Sequence, residues 1–456
     1  MSTKELLFEI GTEELPAGFI VPALNRLDEL LRKGLKKAGL DFISIKTLGT
    51  PRRLVLVVEG LCATKPEPSV EVKGPKKEAA FDDKGEPTRA LLGFAKGQGV
   101  KVDDIEVRED GKGAHVYAKK KVEGKDTINL LPGLLGGLAS ADLFAKTMRW
   151  GSGDVAFARP IHWITALFGG DIIDFEYSGI KSGNFTLGHR FMAKKGKEAG
   201  AKISVDGFSS YKKALKAACV IVDPEERKGI IEEGLKKAAK EAKGEVLPDP
   251  ILVDEVVNLV EYPVVVRGVF DSEFLELPKE VVINAMREHQ RYFSVTDKSG
   301  KLLNSFITVA NIEAKDVKVV ISGNERVLRA RLNDAKFYYE QDLKVKLDDF
   351  VERLKGVVFQ AKLGTSYEKV ERFTSLAESI GKELKYKDIK TLKRAAFLSK
   401  ADLVSGVVGE FAKLQGVMGR VYAGLAGESS EVCDAIYEHY MPVAAGGELP
   451  KSEAGA

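Results

Sequence analysis

Leu6 to Pro16, L-L-F-E-I-G-T-E-E-L-P, read as a short strand running into an acidic turn, and the fold class rests on this stretch and on the helix and strand downstream of it. From Ala23 to Ala38, Leu24, Leu27, Leu31 and Leu35 recur at helical spacing, and Gly39 supplies the stop. A loop with Gly49, Thr50 and Pro51 leads into Arg53 to Val58, a strand-like run rich in valine and leucine. This alternation of strand and helix predicts an α+β or α/β region. Ile161 to Phe168, Pro263 to Phe270 and Ser305 to Ala310 are strand-like as well. Asp223 to Glu226 start a helix expected to reach about Lys243, before Gly244. Lys65 to Gly99 is polar, carries Pro66, Pro68, Pro75 and Pro87, and reads as an exposed connection or insertion; Leu130 to Arg149 returns to helix.

After about residue 316 the pattern is nearly all helix: Glu325 to Gln341, Tyr367 to Gly381 and Lys390 to Leu414. The last carries two apolar stripes, as a helix inside a bundle would. Asp402 falls on one of them, which places it in an interhelical seam and requires a polar partner for it. The chain is therefore read as α+β, mixed over residues 1–315 and helical over 316–456.

At 456 residues there is length for roughly three domains. The formal charge of +3 is small for that length, so affinity for nucleic acid must come from local patches. Cys62, Cys219 and Cys433 are distant and odd in number, which argues for a reducing compartment. No run of about 18 uncharged apolar residues appears, so no membrane span is predicted, and the cytoplasm is the expected location.

Two stretches are candidate RNA surfaces. Leu277 to Phe293, L-P-K-E-V-V-I-N-A-M-R-E-H-Q-R-Y-F, reads as one helix in which Arg287, Gln290 and Arg291 share a face and Tyr292 and Phe293 follow at once. Arginine forks match phosphate oxygens and rings stack on bases. The competing reading is a helix end whose arginines pair with surface acids and whose rings belong to the core. His289, on the apolar stripe, is expected to be half-buried. Gly183 to Lys197 is the second stretch: His189, Arg190, Lys194, Lys195 and Lys197 bracket Phe191 with no acid among them. A solvated basic loop is its alternative. The expected phosphate contacts are Arg190, Lys194, Lys195, Arg287 and Arg291.

Recognisable catalytic sets are missing from the sequence. There is no G-K-[ST], H-E-x-x-H, C-x-x-C or G-x-S-x-G, and none of the five histidines is followed by aspartate. Gly151 to Ala156 matches G-x-G-x-x-A, but Arg159 and Pro160 interrupt the helix that a dinucleotide site needs. No catalytic residue and no metal ligand is assigned, and the chain reads as a binding subunit.

L-L-F-E-I-G-T-E-E-L-P, G-T-P-R-R-L at Gly49, M-R-W-G at Met148, F-A-R-P-I-H-W at Phe157, G-H-R-F at Gly188, M-R-E-H-Q-R-Y-F at Met286, and S-K-A-D-L-V with E-F-A-K-L-Q-G-V-M-G-R-V-Y-A from Ser399 to Ala423 form an ordered set. Together they closely resemble the β subunit of bacterial heterotetrameric glycyl-tRNA synthetase. The resemblance implies a non-catalytic, tRNA-binding subunit of an α2β2 glycine–tRNA ligase that binds no cofactor itself. The α subunit would use glycine, ATP and Mg. The implied partners are that α subunit and tRNA specific for glycine, with no DNA and no membrane. For the fold, the resemblance implies a B3/B4-like region, as in phenylalanyl-tRNA synthetase, over 1–315 and an incomplete HD-like domain over 316–456. An anticodon-binding domain is absent, so the chain is expected to be C-terminally truncated, and Gly447 stands where the family usually has Asp. Lys400, Asp402 and His439 are then expected to be structural. The alternative is a hydrolase: editing of mischarged tRNA in a polar pocket with Glu13, Glu14 or His162, or HD-type cleavage of phosphate esters. A scaffold that holds two α subunits and never touches RNA is a third reading.

Overall fold

The computed structural model describes residues 2–64, 70–82, 85–110, 113–120, 126–194, 196 and 198–456. The chain is of mixed α+β type and divides into two compact units, Met1–Glu226 and Arg227–Ala456.

The first unit is organised around its opening strand, Thr3–Thr12, which pairs antiparallel with Arg53–Cys62 on one side and Ile161–Phe168 on the other. The strand Ser44–Thr50 extends the sheet at one edge; Ile180–Gly183 and Glu176–Tyr177 extend it at the other. Both faces are covered, so the central strands are largely apolar on both, the buried Glu9, Arg53 and Thr165 excepted. Ala17–Ala38 lays Leu24, Leu27, Leu31 and Leu35 on one face, beside Leu131 and Leu135 of the helix Leu131–Ala139. Gly39, at φ +69°, closes the first of these helices in the left-handed conformation. On the opposite face Tyr211 and Leu215 of Phe208–Ala217 pack with Leu7, Val55, Val57 and Leu167.

The polar stretch after residue 64 is an insertion, but a folded one. Val70–Lys76, Gly113–Lys120 and Ile105–Asp110 form an antiparallel sheet, and Arg89–Gln98 packs on it through Leu91 and Phe94. The Phe94 ring lies where a side chain on Gly74 would stand. Thr64 bridges Asp126, and Thr127 N–H donates to the Ala63 carbonyl (3.0 Å), so the insertion leaves and re-enters the sheet at one place. Leu130 to Arg149 is helical only to Ala139; Met148–Arg149 instead pairs with Ala156–Phe157 as a short hairpin through Gly151. No helix follows Gly151 to Ala156, and the formal dinucleotide match has no structural support.

The second unit has a four-stranded antiparallel sheet, in the order Glu245–Val246, Phe293–Thr296, Leu302–Ala310, Val264–Val269. Residues 231–257 cover one face through Ile231, Leu235, Leu252 and Val256. The other face, with Tyr292 and Phe306, belongs to a core that continues through Leu328, Phe350, Leu398 and Met418 to Ile436. The compositional change at 316 therefore lies inside one core, because Val317–Asp342 packs Leu328, Leu332 and Ala335 into it.

Lys390 to Leu414 is not one helix. The helix Ile389–Leu398 stops, a 3-10 turn spans Ala401–Val404, and a short helix, Gly406–Glu410, restarts after Ser405. The restart is fixed from afar: the buried Asp342 carboxylate accepts from Gly406 N–H (2.7 Å), Val407 N–H (3.0 Å) and Tyr422 O–H (2.7 Å). Asp402 is fully buried, as the seam reading requires. Its partners are backbone: Oδ2 accepts from Gly416 N–H (2.6 Å) and Gly419 N–H (2.9 Å), at the start of the helix Val417–Leu425.

His439 donates from Nδ1 to the Ile436 carbonyl (2.6 Å), and burial, helped by the nearby Lys400 charge, pushes its pKa down to about 4. A base with a depressed folded pKa takes up its proton more readily when unfolded. Stability is therefore lost as pH falls from about 6.5 towards 4, by about 2 kcal/mol between pH 7 and 5. Asp402, raised to about 6 by burial, acts in the opposite sense, so the His439 contribution is read as a difference. Denaturation midpoints of wild type and His439→Phe should converge as pH drops from 7 to 5; a constant gap would exclude a neutral, buried His439.

Candidate functional site

Four stretches that are far apart in sequence meet at one end of the first unit's sheet. The central strand runs out at Thr12, whose N–H donates to the Arg52 carbonyl (2.8 Å), and Glu13 N–H donates to the Pro160 carbonyl (2.9 Å). This joins Gly11 to Glu14, Thr50 to Arg53 and Arg159 to Trp163 at one edge. A side chain at Gly11 would enter the Trp163 ring, and the Arg52 and Arg53 guanidiniums lie 5.6 and 5.3 Å from that ring's centroid.

The fourth stretch, Gly188 to Phe191, comes directly after the strand Phe185–Leu187. Arg53, fully buried, anchors that strand: its Nη1 donates to Thr186 Oγ1 (3.0 Å), to the Leu187 carbonyl (3.0 Å) and to Glu9 Oε1 (3.2 Å). Thr165 and Thr186 each donate to Glu9 at 2.9 Å. His189 is buried rather than available to phosphate, and its Nδ1 accepts the N–H groups of Phe191 (3.2 Å) and Met192 (3.1 Å). That turn projects Arg190 and leaves the Phe191 ring 68% exposed.

On the surface, Glu13 is the hub. Its Oε2 meets His162 Nε2 at 2.9 Å and its Oε1 is ion-paired with Arg190, which also lies 4.0 Å from Glu14. Burial pushes the Glu13 carboxyl up, but the Arg190 and His162 hydrogen bonds outweigh it and hold the group below its usual range. The Arg190 guanidinium sits 5.8 Å from the Phe191 ring centroid. A cation beside an exposed ring suits an unpaired nucleotide, and the cation is at present held by a carboxylate. Lys194 is exposed in the same segment; Lys195 lies outside the described residues.

In the second unit, the helix Lys279–Gln290 carries Arg287, and Arg291 caps it in the left-handed conformation at φ +56°. This turn ends the helix earlier than the sequence suggests and sends both rings inward. Tyr292 stacks on Phe306 (4.6 Å between centroids), and Phe293 begins a strand. Neither ring is free to stack on a base: the arginines pair with acids and the rings belong to the core, as the competing reading has it, and no ridge of guanidiniums and rings forms. Arg287 is bound by Asp249 and by Glu288 (2.6 Å), and Glu288 also takes Lys413 at 2.5 Å. The Asp249 hydrogen bond raises the pKa of Arg287 further above its ordinary value. Arg291 pairs with Glu255 at 2.6 Å. His289, expected to be half-buried, is exposed, with one edge of its ring against Phe411. Among the described residues no group of three or more His, Cys, Asp or Glu side chains is arranged to hold a metal ion, and no helix is long and apolar enough to cross a membrane.

Sequence reasoning found Arg190 and Phe191 but not their relation to Glu13 and His162. The available signal was the presence of Glu13 and Glu14 where an otherwise apolar strand passes into its turn. A family model described as glycyl-tRNA synthetase β subunit matches residues 6–456. The glycine–tRNA ligase β subunit of Geobacter metallireducens is 50% identical over 453 residues, 99% of this chain and 65% of that protein. Its counterpart in Trichlorobacter lovleyi is 49% identical over 454 residues, 100% of this chain and 65% of that protein. The chain thus spans about 65% of the length of these relatives.

Proposed function

As the chain belongs to the glycyl-tRNA synthetase β subunit family, we propose that it is the tRNA-binding, non-catalytic subunit of a glycine–tRNA ligase. The observation that carries this reading is the uninterrupted match from residue 6 to residue 456, with half the residues identical to a curated β subunit. In this reading the chain assembles with an α subunit as α2β2 in the cytoplasm, and α holds the aminoacylation site and uses ATP and Mg. The β chain binds no cofactor and acts by holding tRNA where the activated glycine is attacked, which lowers the entropic cost of joining two substrates. Residues 1–315 would be B3/B4-like and the helical residues 316–456 HD-like; the sheet of the first unit, covered on both faces, and the helical core after residue 316 support this reading.

The first-unit edge is the preferred RNA contact. Arg190 and Lys194 are exposed there beside an exposed ring; Arg190, like Arg287 and Arg291, must exchange a carboxylate for a phosphate, but the rings that follow Arg291 are buried. The test is titration with tRNA specific for glycine, and with its acceptor-stem minihelix, at several salt concentrations. Arg190→Ala should weaken binding and make the slope of log affinity against log salt shallower by roughly one. Glu13→Gln should strengthen binding, because it releases Arg190 from its carboxylate. Unchanged affinity in both variants would remove this edge from the RNA surface and favour a scaffold.

A further inference from the structure

In the second unit a cavity of about 230 Å³ opens between the helices Ser366–Glu383, Ile389–Leu398 and Ser430–Glu438. Its walls are Phe373, Leu392 and several alanines, among them Ala377 and Ala396, whose small side chains leave the space empty. The polar groups at its margin are Lys369, Lys400, His439 and Ser399, with no carboxylate in the lining.

Neither lysine has a carboxylate partner among the described residues. Lys369 Nζ lies 3.8 Å from the Phe359 ring centroid, and Lys400 Nζ lies 3.7 Å from that of Tyr440. Asp402, whose charge reaches Lys400, commits Oδ2 to two backbone N–H groups. Burial, reinforced by the Lys369 charge, pushes Lys400 down to about 8, as expected of an ammonium short of counter-charge. His439 differs in kind. With Nδ1–H donating to the Ile436 carbonyl, Nε2 keeps its lone pair, and among the described residues this buried atom has no hydrogen-bond partner. Ser399 Oγ donates to the Ala396 carbonyl.

The cavity therefore offers two cationic donors, one neutral acceptor and an apolar body. We propose that it is a binding site for a small hydroxylated carboxylate with a compact apolar frame, its carboxylate between Lys369 and Lys400 and its hydroxyl donating to His439 Nε2. The two ammoniums exclude a ligand whose donor is itself a cation, so a zwitterionic amino acid does not fit. The volume limits the frame to roughly the size of one ring, below the usual range for drug-sized ligands.

The probes are 4-hydroxybenzoate, benzoate and 4-hydroxybenzyl alcohol, titrated calorimetrically into the whole chain, with the His439 ring followed by nuclear magnetic resonance. 4-Hydroxybenzoate should bind most tightly, benzoate several-fold more weakly, and the neutral alcohol not at all. Lys400→Met should lower affinity for both acids by at least tenfold. His439→Phe should abolish the preference for the hydroxylated acid. Ala396→Leu, which fills the cavity with an apolar group, should prevent binding while leaving the fold intact, and so guards against variants that misfold. Equal binding of acid and alcohol, an unmoved His439 resonance, or undiminished affinity in Ala396→Leu would overturn the assignment.

Discussion

Arg53→Met is expected to destabilise the first unit by about 3–5 kcal/mol, because it strips a fully buried carboxylate of its only ion-pair partner among the described residues. Glu9 and Arg53 are both 0% exposed in the middle of the sheet, and Glu9 would be left with neutral partners, the Thr165 and Thr186 hydroxyls and the nearby Tyr211 phenol. The loss is a large share of a domain's usual 5–15 kcal/mol, so a clear drop in denaturation midpoint is expected. The guanidinium also ties Leu187 to the sheet, so the Gly188 to Phe191 turn should loosen at denaturant concentrations where the wild type is still rigid. Glu9→Gln combined with Arg53→Met removes both charges and should recover much of the loss, as replacing a whole buried pair costs far less than breaking it. A single variant within about 1 kcal/mol of wild type would mean that the pair contributes nothing.

Asp342→Ala should destabilise the second unit by about 4 kcal/mol. The carboxylate accepts three hydrogen bonds, two of them from the first N–H groups of the helix Gly406–Glu410, and each bond to a charged acceptor is worth about 1.5–3 kcal/mol before relaxation. Alanine would leave those N–H groups buried without a partner. Tyr422→Phe removes just one of the three bonds and should cost about 1 kcal/mol. Hydrogen exchange localises the effect: Gly406 and Val407 amides should lose protection selectively in Asp342→Ala. A loss below about 1 kcal/mol, or uniform protection across the unit, would mean that the helix restart does not depend on this carboxylate.

The elements legible in the sequence are those whose signals are local. Gly39 ends its helix as a left-handed cap, the strand Ile161–Phe168 matches its apolar run, and Asp223 with Pro224 opens a helix that reaches Glu241. Where sequence and structure part, the causes are remote in the chain. Lys390 to Leu414 has an unbroken apolar pattern, and the break is imposed by Asp342, some 64 residues before Gly406. Arg291 takes φ +56° with nothing in its type to announce it, and that one residue turns Tyr292 and Phe293 from surface to core. Half of the candidate site is visible in the sequence, since a basic loop around an exposed ring stands out. The half that neutralises it is not, because Glu13 and His162 reach Arg190 only after the sheet has brought residue 13 beside residue 162.

The position of Thr3–Thr12 at the centre of the first sheet has a consequence for biosynthesis. During synthesis this strand must wait for a neighbour about 150 residues downstream, with the whole 64–126 insertion made in between. At translation rates of about 5–20 residues per second, that interval is on the order of 10–30 s. Once Arg53–Cys62 has been made, the nascent strand has one edge paired and the other open, a natural substrate for a holdase chaperone until Ile161–Phe168 arrives.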